Sequence, residues 1–172
     1  EGNPDGIVSN YLHSDKTAGD TLILGMPSGE FVIKESEKPL ILIRGGIGVT
    51  PILSMFKEAI NNKNKKIIFI QCALNGNTVA FKKEIDELLI KNSKSVTVYS
   101  EPLDSDIVGQ DYDYKGFLSK TILRDLNITN ESDFYFCGPT PFMANLVSIL
   151  NDLKVDKTSI NFEFFGPIEE LV

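Results

Sequence analysis

Cysteine is scarce: Cys72 and Cys137 are the only two in 172 residues, too few for a disulfide framework. The chain is therefore expected in a reducing compartment, the cytoplasm. Histidine occurs once, at His13, and arginine twice, at Arg44 and Arg124, beside fifteen lysines scattered singly or in adjacent pairs. These bases form no concentrated footprint, which argues against a nucleic-acid binder. The net charge of −7 reads as a solubility feature. No apolar run approaches the roughly 20 residues of a membrane span. Residues 1–20 are polar and acidic, so no signal peptide is expected there. The first residue is Glu1 rather than Met, which leads us to expect a longer parent polypeptide.

What is present is enough for a core: 42% of residues are apolar and 24% charged. Composition changes near Lys34-Glu35-Ser36-Glu37-Lys38. Ahead of it, Thr21-Leu22-Ile23-Leu24 and Glu30-Phe31-Val32-Ile33 are strand-like and separated by Met26-Pro27-Ser28-Gly29. Behind it, strands and helices alternate. Leu40–Ile43 is a continuous apolar run of the kind parallel sheets use. Ile67–Ile70, Val96–Tyr99, Phe134–Phe136 and Ile160–Phe164 follow as further strands. Between them, Ile52, Phe56, Ala59 and Ile60 recur at helical spacing, as do Phe81, Ile85, Leu88 and Leu89. A short helix is expected around Ile122, Leu123 and Leu126, and a longer one through Met143, Leu146, Val147, Leu150 and Leu153. The pattern predicts an α/β fold with a doubly wound five-stranded parallel sheet, order 3-2-1-4-5. Ligands of such sheets bind beyond the carboxyl ends of the strands, where the order reverses. The loops after strands one and four are the places to look.

The first of these loops reads Arg44-Gly45-Gly46-Ile47-Gly48-Val49-Thr50-Pro51. Glycine admits positive φ and close backbone approach to a phosphate. Thr50 is expected as N-cap and Pro51 as the first helical residue, leaving free amides beside an anion site. The loop departs from the G-x-G-x-x-G fingerprint, since Pro51 stands at the third glycine, and residues 65–78 contain no acid to hold a ribose. A tight strand–helix connection is the alternative, less favoured reading of this loop. The second loop, Cys137-Gly138-Pro139-Thr140-Pro141, repeats the glycine and the Thr-Pro pair. Cys137 alone is compatible with an ordinary buried residue; the two loops together are more specific than either.

Gly46-Ile47-Gly48-Val49-Thr50-Pro51, Cys137-Gly138-Pro139 and Phe162-Glu163-Phe164-Phe165-Gly166-Pro167 resemble, in order, the three motifs of the ferredoxin-reductase family of flavoproteins. Gly6–His13 followed by Ala18-Gly19-Asp20 is most similar to the flavohaemoglobins, which are nitric oxide dioxygenases. The resemblance implies an NADH-binding part of a flavin-dependent reductase. Residues 1–37 would be a partial FAD-binding barrel segment and 38–172 the NAD(P)H-binding domain. The Gly46–Pro51 turn would receive the cofactor diphosphate. Cys137, Gly138 and Pro139 would lie beside the nicotinamide, and Cys137, Thr50 and Phe165 would set the approach of the two rings, Cys137, Glu163 and Phe165 being the expected catalytic residues. Phe164, Phe165, Gly166 and Pro167 would border the flavin, with Glu163 organising the hydride-transfer site. Val8, Ser9 and Asn10 would contact the FAD diphosphate. Electrons would pass onward to haem held in an upstream globin domain, the expected partner. No metal ligands are expected in this chain, whose single His13, read here as structural, cannot serve both as haem ligand and as a catalytic base.

The family's flavin barrel carries an Arg-x-Tyr-Ser motif that this chain lacks, so most of the grip on FAD is expected to be missing. At the ends of strands two and three, Cys72–Asn77 and Ser100-Glu101-Pro102 offer no base to a 2′-phosphate, and Glu101 would repel one. NADH is therefore expected over NADPH. Two other readings stay open: the reductase component of an iron–sulfur oxygenase, and a module that binds NAD without transferring electrons.

Overall fold

The computed structural model describes residues 6–26 and 28–163. The chain divides into two compact units, Glu1–Glu30 and Phe31–Val172. The composition change at Lys34–Lys38 thus falls inside the second unit. There Phe31 and Tyr135 place their rings 6.0 Å apart, and the Lys34 amide donates to the Tyr135 hydroxyl at 2.9 Å.

The first unit holds one helix, α1 (Ile7–Ser14). Thr21–Leu24 and the Glu30–Ile33 stretch were expected as strands, yet no described residue ahead of Leu40 is in a strand. A strand exists only by pairing, and no described segment offers these stretches a ladder.

The second unit is built on a parallel sheet. Its strands are β1 (Leu40–Gly45), β2 (Ile67–Ala73), β3 (Ser93–Tyr99), β4 (Tyr114–Lys115), β5 (Asp133–Cys137) and β6 (Ile160–Glu163). The order is β4-β3-β2-β1-β5-β6, all neighbours parallel. The five expected strands stand in the expected order, and the sheet carries a sixth, β4, at its edge. That strand has two residues, and its ladder is completed by a side chain. The Asp113 carboxylate accepts from the Thr97 amide at 2.8 Å, while the Asp113 amide donates back to the Thr97 carbonyl.

Alternation along each strand builds two cores. Ile41, Ile43, Ile68, Ile70, Val98, Phe134 and Phe136 face α4 (Lys120–Asp125) and α5 (Thr140–Asp152), whose Leu123, Met143, Leu146 and Leu150 are buried. Leu40, Leu42, Ile67, Phe69 and Tyr135 face the other way. They meet Ile52 and Phe56 of α2 (Val49–Ala59) and Ile85 of α3 (Lys82–Glu87). Each such large side chain contributes roughly 1.5–3 kcal/mol of burial.

Three helix starts differ from expectation. A 3-10 turn, Gly46–Gly48, runs straight into α2, so Gly48 is the N-cap and Thr50 and Pro51 lie within the first turn. In α5, Pro139 is the cap and Thr140 the first helical residue. Phe81 does not start the apolar face of α3: it caps the helix in the left-handed region, φ 59°, and is half exposed.

Candidate functional site

The strand order reverses between β2-β1 and β5-β6, so β1 and β5, both leaving the central sheet at their carboxyl ends, diverge to opposite faces. Arg44 of β1 is in register with Cys137 of β5. The two glycine-bearing bends therefore emerge side by side. Gly46 holds φ +51°, a conformation that turns the chain sharply into the 3-10 turn and that a Cβ would strain. Gly48 is pressed on the other bend. A Cβ there would stand 2.0 Å from the Cys137 carbonyl oxygen and 2.8 Å from the Gly138 nitrogen. Both are backbone atoms and cannot step aside.

The Phe142 ring of α5 lies against both Gly45 and Gly138; a Cβ on Gly138 would be 2.6 Å from its Cδ1. Beyond this ring opens a cavity of about 590 Å³. Its wall includes Gly45, Gly46, Cys72, Phe117, Pro139 and Phe142, and every lining residue is uncharged. The volume falls in the range of small-molecule and cofactor pockets. Neither α2 nor α5 has an acid in its first turn, so their free amides present a positive end at this rim. The fit to a dinucleotide diphosphate is thus one of shape and field: a backbone cradle that a side chain would fill, beside an apolar chamber.

A sequence profile for the oxidoreductase NAD-binding domain matches residues 42–148, which includes both bends, α2 and the greater part of α5. The chain belongs to that family. The flavohemoprotein of Rhodopirellula baltica is 42% identical over 174 residues, covering 98% of this chain and 43% of the relative. That of Bacillus thuringiensis subsp. konkukian is 40% identical over 172 residues, with the same coverage. The chain thus spans less than half the length of these curated relatives. Among solved structures, the flavohem-like FAD/NAD binding domain of nitric oxide dioxygenase from Vibrio cholerae superposes with a TM-score of 0.81. It is 30% identical and covers 94% of this chain and 65% of the other.

Of the residues singled out in this NAD-binding domain, Gly46, Gly48, Val49, Cys137, Gly138 and Pro139 are brought together at the rim. Ile47 is largely exposed and Thr50 exposed, while Val49 is buried. Cys137 is fully buried, and burial, with Glu163 on the paired strand adding to it, pushes its thiol up to about 11. At neutral pH the thiol is therefore protonated. Val8, Ser9 and Asn10 are exposed on α1 in the first unit, and His13 is exposed in the last turn of that helix. Phe164, Phe165, Gly166 and Pro167 lie outside the described residues. No described helix is long and apolar enough to cross a membrane.

Four residues escaped sequence reasoning. Phe142 and Phe117 line the cavity, Phe117 being 80% exposed. Asp106 accepts from the Gly76 amide at 3.2 Å and the Leu103 amide at 2.8 Å, tying together the loops after β2 and β3. Arg44 is fully buried on the sheet face opposite the cavity. Its one available signal was a charge closing an apolar run immediately before a glycine turn.

Proposed function

We propose that this domain holds NADH across the paired bends. The diphosphate lies on the Gly46–Val49 turn, the adenosine enters the uncharged cavity, and the nicotinamide lies beside Cys137 and Gly138. The observation that carries the reading is Gly48 packed on the Cys137–Gly138 peptide, which makes one continuous cradle of two loops. The chemistry supplied when the cofactors are bound is hydride transfer from nicotinamide to flavin, and it belongs to them. The chain's residues bind, orient and exclude water. Cys137 offers a neutral, close-packed surface, Thr50 borders the nicotinamide end, and Glu163 stands next to Cys137 across the β5–β6 pair.

In the longer polypeptide, the flavin is FAD, with Val8, Ser9 and Asn10 on α1 contributing contacts to its diphosphate. Electrons go on to haem in an upstream globin domain, in a cytoplasmic nitric oxide dioxygenase. Support comes from the two flavohemoprotein relatives, of which this chain spans 43%.

NADH is preferred over NADPH. The loops at the β2 and β3 ends, where the adenosine ribose would lie, carry Glu101 and Asp106 and no base among residues 72–78 and 100–106. A 2′-phosphate there meets like charge. Titration of the chain with NADH, followed by nucleotide fluorescence, is expected to show saturable binding, with NADPH at least about tenfold weaker. Gly48→Ala is expected to abolish both, because its Cβ displaces the bend. Equal affinity for the two nucleotides would refute the preference, and unchanged binding by Gly48→Ala would refute the cradle.

A further inference from the structure

Arg44 is a charge in the wrong place for a structural residue. It is fully buried at the end of the central strand, and no carboxylate among the described residues pairs with it. Its Nη2 donates to Gln71 Oε1 at 2.9 Å and to the Ala80 carbonyl at 3.0 Å. Its Nη1 reaches the Gly46 carbonyl at 3.5 Å, and its Nε has no partner. Every acceptor is neutral. The titratable groups that feel its charge, Tyr99 on the same sheet face and Cys72 across the sheet, are pushed up by burial to about 12 and stay uncharged at neutral pH. Burying a cation is costly, and folded proteins normally offset the cost with an opposite charge. Among the described residues that charge is missing, in a chain whose net charge is −7.

The geometry points to where it comes from. Arg44 immediately precedes the Gly45–Gly46 bend and contacts it. The same rim carries the amino ends of α2 and α5 with no acid in either first turn, and no lining residue of the cavity is charged. Positive field from three sources converges on this rim, where the described acid, Glu163, stands beside Cys137 and none lines the cavity.

We infer that Arg44 is a positioning residue for a diphosphate ligand: its guanidinium supplies a fixed buried counter-charge beneath the Gly46–Val49 turn and ties that turn to the 74–80 loop. The inference rests on the dinucleotide reading given above and adds to it the group that recognises the charge. Because the guanidinium is buried, its field is screened little by salt, unlike that of surface lysines.

The test compares ADP-ribose, which carries the diphosphate, with adenosine, which does not, by ligand-detected NMR on the 172-residue chain. The unaltered chain is expected to bind ADP-ribose more tightly than adenosine. Arg44→Gln, neutral but still a donor, is expected to weaken ADP-ribose about tenfold at low and high salt alike and to leave adenosine unchanged; Arg44→Lys stays within about threefold. A purely structural Arg44 would lower both ligands together, and that result overturns the proposal. So does an Arg44→Gln chain that binds ADP-ribose normally. Should Arg44→Gln fail to fold, the unaltered chain decides: the Arg44 Nε–H resonance shifts on adding ADP-ribose and not on adding adenosine, and its failure to respond overturns the proposal. If the unaltered chain binds neither ligand, the dinucleotide reading itself falls and takes this one with it.

Discussion

Cys137 shows how one residue serves two neighbours. Its carbonyl faces Gly48, and its side chain is sealed in the core. The folded thiol titrates at about 11, above the ordinary 9.0, so folding favours the protonated form. The stabilisation is complete below the unfolded value and is lost as pH rises through the folded one. Cys72, raised to about 12, acts in the same direction. Urea unfolding at stepped pH is expected to show stability declining between about pH 9 and 11, and less steeply in Cys137→Ala. A slope unchanged by the substitution would place the titration elsewhere. Arg44 marks the limit of reading at this scale. A charge ending an apolar run looks like the rim of a strand, and only Gln71 and Ala80, from other segments, make a buried seat for it.

At the level of elements, what the sequence disclosed depended on who supplies the pairing. The strand β1 was plain because Leu40–Ile43 needs burial on both faces. The edge strand β4 was hidden because a carboxylate completes its ladder. Asp113→Ala is expected to cost about 1–2 kcal/mol by leaving the buried Thr97 amide without its side-chain acceptor. Hydrogen exchange at Thr97 and Tyr114 should accelerate, while β1 and β5 keep their protection. The misplaced helix caps have a similar origin: Thr-Pro is a sound start signal, but Gly-Ile-Gly can wind into a 3-10 turn and begin the helix earlier. Which residues approach across the rim was legible only as a bet on topology, since the Gly48–Cys137 contact joins residues 89 positions apart.

For the whole molecule, the two units differ in how much of the cofactor chemistry they can carry. The second unit has a sheet, two cores and the cavity; the first holds one described helix and exposes Ile7, Val8, Ile23 and Leu24. Titration of this chain with FAD, followed by flavin fluorescence, is expected to show no stoichiometric binding, whereas the nucleotide site stays competent. Tight one-to-one FAD binding would show that the first unit suffices for the flavin.

The contact between Gly48 and the Cys137–Gly138 peptide has a consequence for engineering. The two turns are a single hinge-free joint, and neither can be lengthened, shortened or exchanged alone without unseating the other. A graft intended to change nucleotide choice must therefore transplant both turns as one piece, or confine itself to the far wall formed by Leu74, Thr78 and Ser100.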